Sequence, residues 1–167
     1  MPQKEKKLLI TKETDYALRI LRSLADAGNT KTPIKEICDK ELLPQQFVYK
    51  IAKKLAKAGI IELSRGVGGG CRLICDLHDI SLLTLIAIMD ADRPISACMQ
   101  TNYHCPWREK YRQVCLVHTH LSHLQKEINE KLHSYSLYTQ TSHPKIIHNH
   151  NSTAVTQLLI FQTRRQN

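Results

Sequence analysis

The sequence predicts a mainly α-helical fold carrying one small β-hairpin, a winged helix-turn-helix domain followed by a long dimerisation helix. Three observations carry that expectation. Apolar residues recur at three- and four-residue intervals up to Lys57, a glycine-rich tip separates two short strand-like runs around Gly66, and a heptad-like apolar series runs from Val117 to Tyr135. With 167 residues, 42% of them hydrophobic, the chain can build one compact domain of ordinary size or a small domain with a dimerisation arm.

From Lys12, the residues Tyr16, Leu18, Ile20, Leu21, Leu24 and Ala25 form the stripe of a first helix, which Gly28 and Asn29 end. Thr32 followed by Pro33 reads as an N-cap with proline at the first helical position. A short second helix then runs from Pro33 to about Lys40 and buries Ile34, Ile37 and Cys38. After a turn around Leu42 and Leu43, Pro44 opens a third helix that runs to Lys57 and stops at Gly59. Its faces differ: Phe47, Val48, Ile51 and Leu55 point inward, while Gln45, Gln46, Tyr49, Lys50, Lys53 and Lys54 point outward.

Ile60, Ile61 and Leu63 read as a strand, the residues from Arg65 to Gly70 as a glycine-rich tip, and Cys71 to Ile74 as the returning strand. A helix follows from Ile80 to Met89, and Pro94 closes off its continuation. The stretch from Arg93 to about Tyr111 has weak periodicity and reads as a loop, of a length that is usually functional or disordered. From Gln113 a long helix carries Val117, Leu121, Leu124, Ile128, Leu132 and Tyr135, a seam that either pairs with a second copy or packs within one subunit. Beyond about Thr139 the chain turns polar, with His143, His148 and His150, and reads as a flexible tail with an apolar patch from Leu158 to Phe161. The expected divisions are a DNA-binding domain over 9–92, a cysteine loop over 93–111, a dimerisation helix over 112–138 and a tail over 139–167.

A net charge of +9 favours polyanions, that is, nucleic acids or anionic lipid surfaces. The longest apolar run, Ile80 to Met89, is about half what a membrane span needs. The charged start, Met1 to Lys7, lacks the apolar core of a signal peptide, so a cytoplasmic location with reduced thiols is expected. A short helix, a turn and a basic amphipathic helix with polar first turns suit entry into a major groove; a solvated basic face is the bland alternative. The glycine tip lets a backbone approach closely, and Arg65 at its base suits a phosphate or a narrow minor groove. A nucleotide-binding loop does not fit, since Cys71 and Arg72 stand where the Walker pattern requires Lys-Ser/Thr and no helix follows the glycines. No paired carboxylates, nucleophile elbow or cofactor fingerprint points to an enzyme.

Thr14 to Arg19, Lys54 to Ile60, Ser64 to Gly70 and the cysteine loop occur in an order that resembles the bacterial winged-helix regulators that include IscR, NsrR and CymR. The resemblance runs from about Leu9 to Leu137. It implies a homodimeric transcription regulator, a repressor or an activator, on a pseudo-palindromic operator in double-stranded DNA. Gln46, Tyr49 and Lys50 would then lie at or beside the base edges, and Arg65 with Gly66 would form the wing contact. Three loop cysteines of cluster-bearing members ligate an iron-sulfur cluster, and the matching residues are Cys98, Cys105 and Cys115, separated by six and nine residues, longer gaps than in IscR and NsrR. A cluster of the 2Fe-2S or 4Fe-4S type would take a fourth ligand from His118, three residues after Cys115, from Asp15, or as a third choice from His104. Such a site implies a redox-responsive switch. The alternative is a cluster-free regulator whose cysteine loop is thiol-redox, zinc-bound or partner-binding. Cys38, Cys71 and Cys75 read as structural thiols.

Overall fold

A computed structural model describes residues 10–28, 30–66, 68–90, 94–100 and 102–141. Helix α1 (Lys12–Asp26) starts at Thr11, whose hydroxyl accepts the Thr14 amide at 3.3 Å. The Thr11 and Thr14 hydroxyls both donate to the Asp90 carboxylate, which ties the start of α1 to the end of helix α4 (Leu82–Asp90). Ala17, Ile20, Leu21 and Leu24 of α1 are fully buried, each burial contributing about 1.5–3 kcal/mol for the larger side chains.

Helix α2 (Ile34–Glu41) has Pro33 at its N-cap with no side-chain capping bond, so Thr32 is not the cap the sequence suggests. Thr32 instead pairs with Cys71: its amide donates to the Cys71 carbonyl at 2.8 Å and its carbonyl accepts the Cys71 amide at 2.9 Å. Its backbone is thereby committed to the sheet, one residue too early to serve the helix. Leu42 closes α2 in the left-handed region, φ 53°, and the Leu43 amide reaches back to the Cys38 carbonyl at 3.0 Å. That reversal aims helix α3 (Gln45–Lys57) across α1 and α2.

Strands β1 (Ile61–Ser64) and β2 (Gly70–Leu73) pair antiparallel, with Leu63 opposite Cys71 and Ser64 opposite Gly70. Gly70 is required because a Cβ there would lie 2.4 Å from the Thr32 carbonyl oxygen, where the chain passes beside the hairpin. Ser81 opens α4 by accepting the Thr84 amide at 3.1 Å.

The segment expected to be a plain loop has structure of its own. It contains a 3-10 turn, Ala97–Met99, and helix α5 (Pro106–Tyr111), which Pro106 starts and Arg112 ends in the left-handed region. Six residues are too short for apolar periodicity to register, which is why the sequence shows a loop there. Helix α6 (Leu116–Ser134) packs along α4 and touches the 3-10 turn, yet buries none of its residues fully. The expected seam is interrupted at Tyr135, which is extended, and helix α7 (Leu137–Thr141) returns the chain to α1 with Leu137 and Thr141 buried. The tail expected from Thr139 therefore begins inside an ordered helix; its remainder, with His143, His148, His150 and the patch from Leu158 to Phe161, lies outside the described residues.

Candidate DNA interface and cysteine pocket

Helix α3 buries Val48, Ile51, Ala52 and Leu55, which leaves Gln45, Gln46, Tyr49, Lys50 and Lys53 exposed on the far side. Phe47, expected inside, is 39% exposed and sits edge-on to Tyr16 with ring centroids 6.0 Å apart. Its position one residue before Val48 turns it onto the rim of the stripe, where a ring can cover α1 without entering the core.

Glu13, in the first turn of α1, pairs with both Lys50 and Lys54. Hydrogen bonds from those two ammonium groups hold its carboxyl below the usual carboxylate range. Lys54 also donates to the Met89 carbonyl. It thus lies at the junction of α1, α3 and α4 instead of standing free on the outer face, because its position in the last turn of α3 faces both neighbours. Sequence reasoning missed this role of Glu13 in holding the two lysines, since they lie 37 and 41 positions away. Arg65 and Gly66 stand exposed at the hairpin end, with φ 90° at Gly66 and 77° at Gly68, and the Gly69 amide donates to the Gly66 carbonyl at 2.9 Å. The exposed faces of α3 and the hairpin supply amides, a phenol, ammonium groups and a guanidinium, the donors that phosphates and base edges accept.

Cys105 stands at the N-cap position of α5 and Cys115 at that of α6, neither making a side-chain capping bond, and the two helix starts bring these residues to one open cavity of about 570 Å³. His104, His118, Arg108, Glu109 and Arg112 line it as well. Cys98 does not; it sits in the 3-10 turn with its sulfur 3.2 Å from the Ser96 hydroxyl. Asp15 is bonded to Arg19 on its own helix at 3.0 Å and is likewise outside the cavity. All six cysteines are free thiols, and among the described residues no three potential ligands stand close enough to hold one metal ion. Two half-buried thiols and two imidazoles lining one cavity are nonetheless a donor set suited to a thiophilic metal. Arg108 and Arg112 were not singled out in the sequence; their four-residue spacing becomes informative only once α5 is known to be a helix.

The model of the Rrf2 family, described as iron-dependent transcriptional regulator, matches residues 10–141. The chain belongs to the Rrf2 family. It is similar to the transcriptional regulator IscR of Vibrio campbellii, 28% identical over 77% of this chain and 74% of that one. It is also similar to NsrR of Bacillus subtilis, 28% identical over 75% of this chain and 80% of that one. Among solved structures, CymR, the global cysteine regulator of B. subtilis, superposes with a TM-score of 0.59 at 20% identity, covering 81% of this chain and 97% of CymR. That last likeness is one of fold. The Rrf2 assignment makes the chain a DNA-binding transcriptional regulator. No described helix is long and apolar enough to cross a membrane.

Proposed function

We propose that this Rrf2 regulator acts in the cytoplasm as a homodimeric repressor on a pseudo-palindromic operator, with affinity set by an iron-sulfur cluster. Cys98, Cys105 and Cys115 would hold the cluster with His118, or with Asp15 as the other fourth ligand; when bound, it supplies a labile, redox-responsive link between these thiols. The observation that carries the reading is the convergence of Cys105, Cys115 and His118 on one cavity at the foot of α6. Drawing Cys98 to the same centre fixes the 3-10 turn against α6. Helix α6 packs along α4, and α4 packs on α1 and α3, so the setting of the cysteine segment biases the placement of α3. Val117 and Leu124, 66% and 46% exposed on α6, offer the seam for a second copy. Gln45, Gln46, Tyr49, Lys50, Lys53 and Arg65 with Gly66 meet the DNA, and Lys54 supports them through Glu13.

One observation favours the cluster-free alternative: Cys98 is apart from the cavity that the other two thiols share. Anaerobic purification, a visible absorption spectrum with iron and sulfide analysis, and operator titration, on the wild type and on Cys105→Ala, separate the two readings. The cluster reading expects a brown wild type, a colourless variant and a changed operator affinity. A wild type that stays colourless after reconstitution, with operator binding indifferent to the substitution, overturns it.

A further inference from the structure

Arg108 and Arg112 line the cavity that holds the Cys105 and Cys115 thiols, and neither guanidinium has an acidic partner among the described residues. The one carboxylate in the lining, Glu109, lies 3.4 Å from His104 Nδ1, so two guanidinium groups face a single carboxylate there. Arg112 is held in the left-handed region, φ 49°, at the end of α5, so its place at the cavity wall is set by a turn that a non-glycine residue rarely adopts. The cavity is therefore positively charged and thiol-bearing at once. About 570 Å³ lies within the range of small-molecule sites.

We propose that this cavity binds an anionic low-molecular-weight disulfide and exchanges with it at Cys105 or Cys115. The carboxylates of the ligand meet Arg108 and Arg112, which places its S–S bond beside the thiols. The cysteine sulfur attacks the nearer ligand sulfur; the new S–S bond forms as the old one breaks, and the departing half leaves as a thiolate that takes up the proton the cysteine sheds. One disulfide is exchanged for another, and no further oxidant is consumed. The other thiols are worse placed: Cys71 is fully buried, and Cys38, Cys75 and Cys98 lie outside the cavity. The inference goes beyond the cluster reading and needs no cluster, since it concerns the cluster-free chain.

The test uses the cluster-free full chain with oxidised glutathione, which carries carboxylates, and with hydroxyethyl disulfide, which is neutral. Adducts are timed by intact mass and located by peptide mapping. We expect one adduct at Cys105 or Cys115, formed ~10-fold faster with oxidised glutathione once each rate is divided by that of the urea-unfolded chain. Arg108→Gln with Arg112→Gln should erase that preference, and so should high salt in the wild type, which needs no variant to fold. An adduct at Cys98, equal normalised rates, or a preference that survives both treatments overturns the proposal. A chain that never takes up a cluster but shows the selectivity sinks only the cluster reading.

Discussion

Cys71 has no exposed surface, and burial pushes its thiol up to about 11 from an ordinary value of 9.0. Burial likewise raises Cys38 and Cys75. Burial therefore disfavours the reactive thiolate at these three positions. The raised value also couples stability to pH. Unfolding exposes a thiol that ionises more readily, so the contribution is complete below pH 9 and falls by about 1.4 kcal/mol per pH unit between roughly 9 and 11. Urea unfolding at pH 8 and pH 10.5 should show a steeper loss for the wild type than for Cys71→Ala. Equal losses would mean that the thiol ionises as easily folded as unfolded.

Among the elements, α7 changes how the molecule is understood. The Leu82 amide donates to the Tyr135 carbonyl and the Leu137 amide to the Ile80 carbonyl, both at 2.8 Å, so the chain leaving α6 is stitched to the chain entering α4. Tyr138 stacks on His78 with ring centroids 3.8 Å apart, and Leu137 enters the core with the residues of α1. Leu137→Ala should therefore cost about 2–5 kcal/mol of unfolding free energy although it lies beyond the DNA-binding segment. A loss within measurement error would detach α7 from the core. The sequence held no sign of this helix, because five residues with one buried leucine carry no period. Helices α1, α3 and α6, by contrast, were legible from apolar spacing over three or more turns.

At the scale of the whole molecule, a net charge of +9 makes DNA affinity depend on salt, and the ion pairs decide how much each lysine contributes. Lys53 is exposed and has no carboxylate partner among the described residues, whereas Lys54 is 33% exposed and engaged by Glu13 and Met89. Lys53→Ala should lower the slope of log affinity against log salt by about one, and Lys54→Ala by clearly less. Equal slopes in fluorescence-anisotropy titrations would mean that Glu13 releases Lys54 on DNA.

The amino-acid sequence by itself determined the helical order, the hairpin, the basic outward face of α3 and the identity of the thiols. Each of these rests on a local period, a turn residue or a residue type, and such signals are complete within a few positions. Only the tertiary structure decided that Glu13 holds Lys50 and Lys54, that Thr32 serves the hairpin and not α2, and that α7 closes the core. It likewise brought Cys105 and Cys115 into one cavity with Arg108 and Arg112 and left Cys98 outside it. These are relations between side chains that become neighbours only when separate elements pack, and no local pattern encodes a distance across the core.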